Sequence, residues 1–160
     1  MFVPFDKMQE EARIWVYQSD RVLNDQEIDV VENRLTKFVE EWTRHGDDLK
    51  GSYTIVYDHF IILAVDESFN QVSGCSIDAS THVFKQLEKD LNVDLMNKMN
   101  TAFRHGDHIN IVPLSDFQRY AQENKIDEDT TVFNNLVSTK KEWASSWEVP
   151  AKMSWHKRYF

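Results

Sequence analysis

The run Phe60-Ile61-Ile62-Leu63-Ala64-Val65 is the longest apolar stretch in the chain, and its length narrows what the chain can become. A membrane-spanning helix needs about 18 or more such residues. A strand with one face in water would alternate apolar with polar residues. A short, continuously apolar run instead reads as a central strand of a sheet, covered on both faces. Residues 49–57 read as a second, less central strand, joined to the first through Asp58-His59 as a tight turn.

The rest of the chain supplies further strands and the helices to cover them. Arg13-Ile14-Trp15-Val16-Tyr17 is short and rich in β-branched and aromatic residues, which predicts a strand. Asn24 followed three residues later by Glu27 has the form of a helix start. Ile28, Val31, Leu35, Phe38, Val39 and Trp42 then recur at spacings of three or four, predicting an amphipathic helix over residues 24–45 that stops at Gly46. A second helix is expected over residues 77–91, with Ile77, Phe84, Leu87 and Leu91 on one narrow arc. Residues 100–104 and 109–112 flank His105-Gly106-Asp107-His108, a hairpin signal with glycine in the turn. Residues 114–123 read as a short helix and Thr130-Thr131-Val132-Phe133 as one more strand. The order β-α-β-β-α-β-β-α-β lacks strict βαβ repetition, so the expected fold class is α+β, with a mixed or antiparallel sheet.

The chain has 160 residues, enough for one well-built domain, and only four glycines and three prolines from which to make a linker. One domain over residues 1–160 is therefore expected, with residues 139–160 as its C-terminal extension. Twenty-seven acidic against eighteen basic residues give a net charge of −9, which argues against general affinity for nucleic acid or an anionic membrane. A lone cysteine, Cys75, makes neither an intramolecular disulfide nor a multi-cysteine zinc site and suits a reducing compartment. Residues 1–7 have neither the basic start nor the apolar run of a signal peptide, so a cytoplasmic location is expected.

Val65-Asp66-Glu67-Ser68, Ser73-Gly74-Cys75-Ser76-Ile77-Asp78, Phe133-Asn134-Asn135 and Pro150-Ala151-Lys152 followed by Ser154-Trp155-His156 together resemble a family of small acidic Bacteroidetes proteins often labelled ABC transporter ATPase. The resemblance spans nearly the whole chain and carries over no catalytic residues. The residues themselves argue against nucleotide hydrolysis. A P-loop needs a Lys and a hydroxyl after its glycines, between a strand and a helix. Gly46 and Gly51 have that spacing, but Ser52-Tyr53 follow, and the stretch leaves a helix to enter a strand. The apolar run ending in Asp66-Glu67 does have the form of a magnesium-holding strand. Val72-Ser73-Gly74-Cys75-Ser76 resembles the transporter signature loop, yet it comes after that strand instead of before it.

Candidate chemistry gathers near Cys75. A thiol just before a helix meets unpaired N–H groups that favour thiolate, while Asp78 and His82, four residues apart on one helical flank, have the spacing of a base and its orienter. Asp66, Glu67, Ser73 and Gly74 are candidate ligand-binding residues in the preceding loop. The plainer alternative is structural: Ser76 or Asp78 caps the helix, Gly74 permits the turn, Cys75 fills the core and His82 is solvated. Asp78-x-x-x-His82 and His105-x-x-His108 have ligand-compatible spacings, but zinc needs further ligands to converge. His59, His105 and His108 all fall in turns, where exposure is common. No metal or cofactor is implied.

The −9 is unevenly spread. Residues 1–138 hold 13 basic and 25 acidic residues, net −12, and residues 139–160 hold 5 and 2, net +3. That end also carries Trp143, Trp147, Trp155, Tyr159 and Phe160. Interleaved bases and aromatics can bind single strands or anions; the alternative is a tail that folds back with its tryptophans packed on the sheet. Pro113-Leu114-Ser115-Asp116-Phe117, through Asn124-Lys125-Ile126-Asp127 to Val132, is similar to the helix-turn-strand of GYF-type peptide-binding modules. Asn124 stands where that family has glycine, and its proline-binding aromatics lack counterparts. Structurally, Ser115 is expected to cap the helix and Phe117 and Tyr120 to pack.

With no complete catalytic or cofactor motif, the expected function is a non-catalytic binding or protein-interaction domain. Its partner would be a protein or a small molecule, a second copy of the chain included. The rival expectation is a small thiol enzyme using Cys75 with Asp78 and His82.

Overall fold

The computed structural model describes residues 1–68 and 70–160. The fold is α+β, and every strand pair within its sheets is antiparallel. The chain divides into two compact units, residues 1–96 with 138–141 and residues 97–137 with 142–160.

In the first unit, β1 (Arg13–Gln18), β4 (Lys50–Val56) and β5 (Phe60–Asp66) form a sheet in the order β1-β5-β4. The apolar run is thus the central strand, and each of its residues from Phe60 to Val65 is fully buried. Ile61, Leu63 and Val65, alternate residues on one face, join Val31, Leu35 and Val39 of α1 (Asp25–Glu41) and Phe84 and Leu87 of α2 (Gly74–Leu91) in one core. The ring of Tyr17 stacks on that of Phe84 at 3.6 Å and 11°, and burial pushes the Tyr17 hydroxyl up to about 12.

Helix α1 starts as expected. The Asn24 side chain accepts from the Glu27 N–H, and Glu27 returns a bond from the Asn24 N–H. It stops at Glu41, earlier than the expected His45, because a short hairpin follows: β2 (Thr43–Arg44) pairs with β3 (Asp47–Asp48). The hairpin turns at His45 and Gly46, whose φ values of 51° and 86° suit a primed turn. Helix α2 starts three residues before the expected Ile77. Ser73 is its N-cap, accepting from the Ser76 N–H at 3.1 Å, so neither Ser76 nor Asp78 caps it.

In the second unit, β6 (Asn100–His105), β7 (His108–Pro113), β8 (Thr131–Phe133) and β9 (Glu148–Pro150) form a sheet in the order β7-β6-β8-β9. Helix α3 (Leu114–Gln122) packs Phe117 and Ala121 into its core. The helix begins directly behind Pro113 and has no side-chain cap, so Ser115 does not serve as one. After α4 (Lys140–Ser146), the expected extension contributes a strand, β9, and short 3-10 turns. Trp147 is buried against Phe133 at 5.0 Å, while His156, Tyr159 and Phe160 surround Phe117. The aromatic end therefore packs as a folded-back tail should.

Candidate functional site

A depression of about 450 Å³ opens beside the start of α2. Phe38, Trp42 and Ala79 give it apolar lining, and Glu41, His45, Ser73 and Cys75 give it polar lining. Three short segments meet there because of hydrogen bonds that pin them. Trp42 Nε1 donates to the Ser76 carbonyl at 3.0 Å, tying the end of α1 to the first turn of α2. Ser76 Oγ donates to the Thr43 carbonyl at 2.8 Å, which fixes the base of the β2–β3 hairpin. The indole itself is buried, with Phe38 at 5.1 Å and Trp15 at 6.3 Å between ring centroids.

Cys75 is exposed and not the core filler that a structural role would require. Asp78 and His82 are also exposed. On α2, Asp78 lies about 60° round one side of Cys75 and Ala79 about 40° round the other, so the depression takes Ala79 and leaves Asp78 outside. His82 is two turns further on, about 10.5 Å along the axis. Cys75 thus shares the lining of the depression with His45 and Glu41, whereas Asp78 and His82 lie along α2 outside that lining. His45 and Glu41 stand outside the expected site. The signal was His45-Gly46, readable as a hairpin turn that returns the chain past the helix end.

Of the loop residues, Ser73 lines the depression and caps α2. Asp66 Oδ1 accepts from the Ser68 N–H at 2.9 Å, and Glu67 Oε2 from the Val72 N–H at 3.1 Å, so both carboxylates shape the turn after β5. Arg13 lies 3.9 Å from Glu67. A Cβ on Gly74 would meet open space and its φ is not left-handed, so no turn there requires glycine. Gly46 and Gly51 sit in a hairpin turn and in β4, and no helix follows them to form a phosphate cradle.

The histidines divide. His105 and His108 face each other at the β6–β7 turn and are exposed. His59 is buried at 6% exposure, contrary to the expectation for a turn residue. Burial pushes its imidazole below the usual range, opposed by the nearby Asp58 carboxylate. Among the described residues, no three His, Cys, Asp or Glu side chains gather as metal ligands, and no helix is long and apolar enough to cross a membrane. No family model, curated protein or solved structure matches the chain.

Proposed function

We propose that the chain is a non-catalytic binding protein and that the depression beside α2 holds its ligand, a small molecule or a short segment of a protein partner. The observation that carries this reading is the lining. A pinned, buried tryptophan with Phe38 and Ala79 supplies apolar contact, and a few polar groups stand around it, the usual make-up of a ligand pocket. The resemblance to proteins labelled ABC transporter ATPase adds no residues to this site.

A fluorinated tag on the exposed Cys75 reports occupancy. Fragments that shift the tag signal in the native protein and fail to do so after Ala79→Arg fills the depression support the proposal; a library that never shifts it sinks the proposal. One observation favours a second reading, thiol chemistry: His45 shares the depression with Cys75. If His45→Ala or His82→Ala lowers the alkylation rate of Cys75 tenfold or more, that reading gains. The binding reading expects no change with either substitution.

A further inference from the structure

Strand β7 is the edge of the four-stranded sheet, and its one neighbour among the described residues is β6. Its hairpin turn is the pair Gly106-Asp107, with Gly106 at φ 62°, the position that a type II′ turn gives to glycine. A two-residue turn makes His105 and His108 a hydrogen-bonded pair. The alternation of the ladder then makes Phe103 with Asn110, and Thr101 with Val112, hydrogen-bonded pairs as well. The N–H and C=O groups of Ile109 and Ile111 consequently point away from β6. None of these four groups has a hydrogen-bond partner among the described residues.

Open edges are normally guarded by lysine, by proline within the strand or by a bulge. Between His108 and Val112, β7 has none of these: Ile109, Asn110, Ile111 and Val112 are uncharged and three of them are β-branched. Pro113 stands only at the strand end. The surrounding charge also matters. Residues 97–137 with 142–160 hold 7 basic and 8 acidic residues, net −1, while the other unit holds 11 and 19, net −8. Two copies that meet at β7 therefore join through their nearly neutral units, and the strand carries no charge with which to select a charged foreign peptide.

We propose that β7 is a self-pairing edge on which a second copy of this chain docks antiparallel, about a two-fold axis at Asn110. In this register Ile109 of each copy faces Ile111 of the other, so all four outward groups of both strands are satisfied. A slip of one residue would set outward groups against inward ones. Asn110 faces its own counterpart in a non-hydrogen-bonded pair, where side chains approach most closely and two amides can exchange donor and acceptor.

Sedimentation of the full chain over a range reaching about 100 μM, a concentration at which weak edge pairing is populated, should show twice the mass of one chain. Ile111→Lys and Asn110→Lys, which bring like charges together at the axis, should each return the mass to that of one chain with the circular dichroism spectrum retained. A disulfide trap stands independently of those variants. Asn110→Cys in a Cys75→Ser background should give a covalent dimer under mild oxidation, since Cα atoms of such a pair lie about 4.5 Å apart, within disulfide reach. A single-chain mass throughout, a dimer that survives both lysine variants, or a trap that crosslinks no faster than the exposed Cys75 does in the native protein overturns the proposal. Crosslinking of the Asn110→Cys variant to a foreign protein in preference to its own copy overturns it too, in favour of a peptide partner.

Discussion

Gly51 lies beneath Trp42: a Cβ at position 51 would stand 3.1 Å from Cε3 of the indole, 3.1 Å from Cγ1 of Val39 and 3.3 Å from the Ala64 carbonyl oxygen. The end of α1 therefore rests so close on β4 that an added Cβ would crowd it by a few tenths of an ångström, and the same indole lines the candidate pocket. Gly51→Ala should destabilise the protein by about 1–3 kcal/mol, the range for overpacking a core. Urea denaturation at fixed pH measures it. An unchanged midpoint would mean that the helix end has slack and that the pocket wall is less fixed than the hydrogen bonds imply.

Asn24 and Glu27 form a reciprocal cap, and Arg21 clamps the Glu27 carboxylate through two bonds of 2.8 and 2.7 Å. Asn24→Ala should cost about 1 kcal/mol, because one helix N–H loses its acceptor. Arg21, whose bond is the largest cause, holds the Glu27 carboxyl at about 2, well below its usual 4.5. That stabilisation is present above the unfolded value and is lost as pH falls from 4.5 toward 2. Arg21→Ala should flatten this acid limb; an unaltered limb would place the sensitivity elsewhere.

The β4–β5 turn was legible as a turn but not in its strain. Tyr57 and Asp58 sit at φ 56° and 55°, left-handed positions normally left to Asn and Gly. Asp58→Gly should gain about 0.5–1 kcal/mol, the relief of the left-handed penalty less the extra entropy of an unfolded glycine. A rise in melting temperature supports this account. A fall would show that the Asp58 side chain contributes more than its backbone costs.

Trp147 illustrates what the aromatic end does. It is 4% exposed, lies 5.0 Å from Phe133 and 5.5 Å from Trp143, and donates from Nε1 to Asn135 Oδ1 at 2.9 Å. Trp147→Ala should cost about 3–5 kcal/mol. Deleting residues 142–160 removes β9 and the rings around Phe117 and should unfold the second unit, read as lost protection of β6 and β8 amides from hydrogen exchange. Retained protection would show that the tail is dispensable.

What could be read in advance follows from the range of the interactions involved. Helix α1, the β4–β5 hairpin and the β6–β7 hairpin are specified by local spacing, caps and turn residues, and the sequence alone located each to within a few residues. Helix α2 starts ahead of its expected first residue because Gly74, Cys75 and Ser76 carry no periodic apolar signal and Ser73 is one of several possible caps. Strand β9 escaped notice because three residues, Glu148, Val149 and Pro150, become a strand only by pairing with distant β8. The site shows the same division. Cys75 and Ser73 are legible from their position before a helix, whereas His45 and Glu41 reach them through a non-local bond from Trp42 to Ser76.

His156 makes the pH dependence of stability testable over a window that lies mostly above that of Glu27. The imidazole is 1% exposed, stacks on Trp155 at 3.8 Å and approaches Phe117 edge-on at 5.4 Å. Nδ1 shares a bond with Ser154 Oγ, and the buried Nε2 has no partner among the described residues. Burial without a counter-charge pushes the group down to about 4 from 6.5. Between those values the unfolded chain takes up a proton that the folded chain refuses. The stability tied to the neutral ring is thus complete above the unfolded value and drains away as pH falls through the window, by about 3 kcal/mol in all. His59, also lowered by burial, acts in the same direction. His156→Phe keeps an aromatic ring between Trp155 and Phe117 while removing the titrating group. The loss in unfolding free energy between pH 6.5 and 4 should shrink by most of that amount, whatever the variant's stability at neutral pH. An equal loss in both proteins would mean that His156 is protonated in the folded state and that its surroundings open to admit the charge.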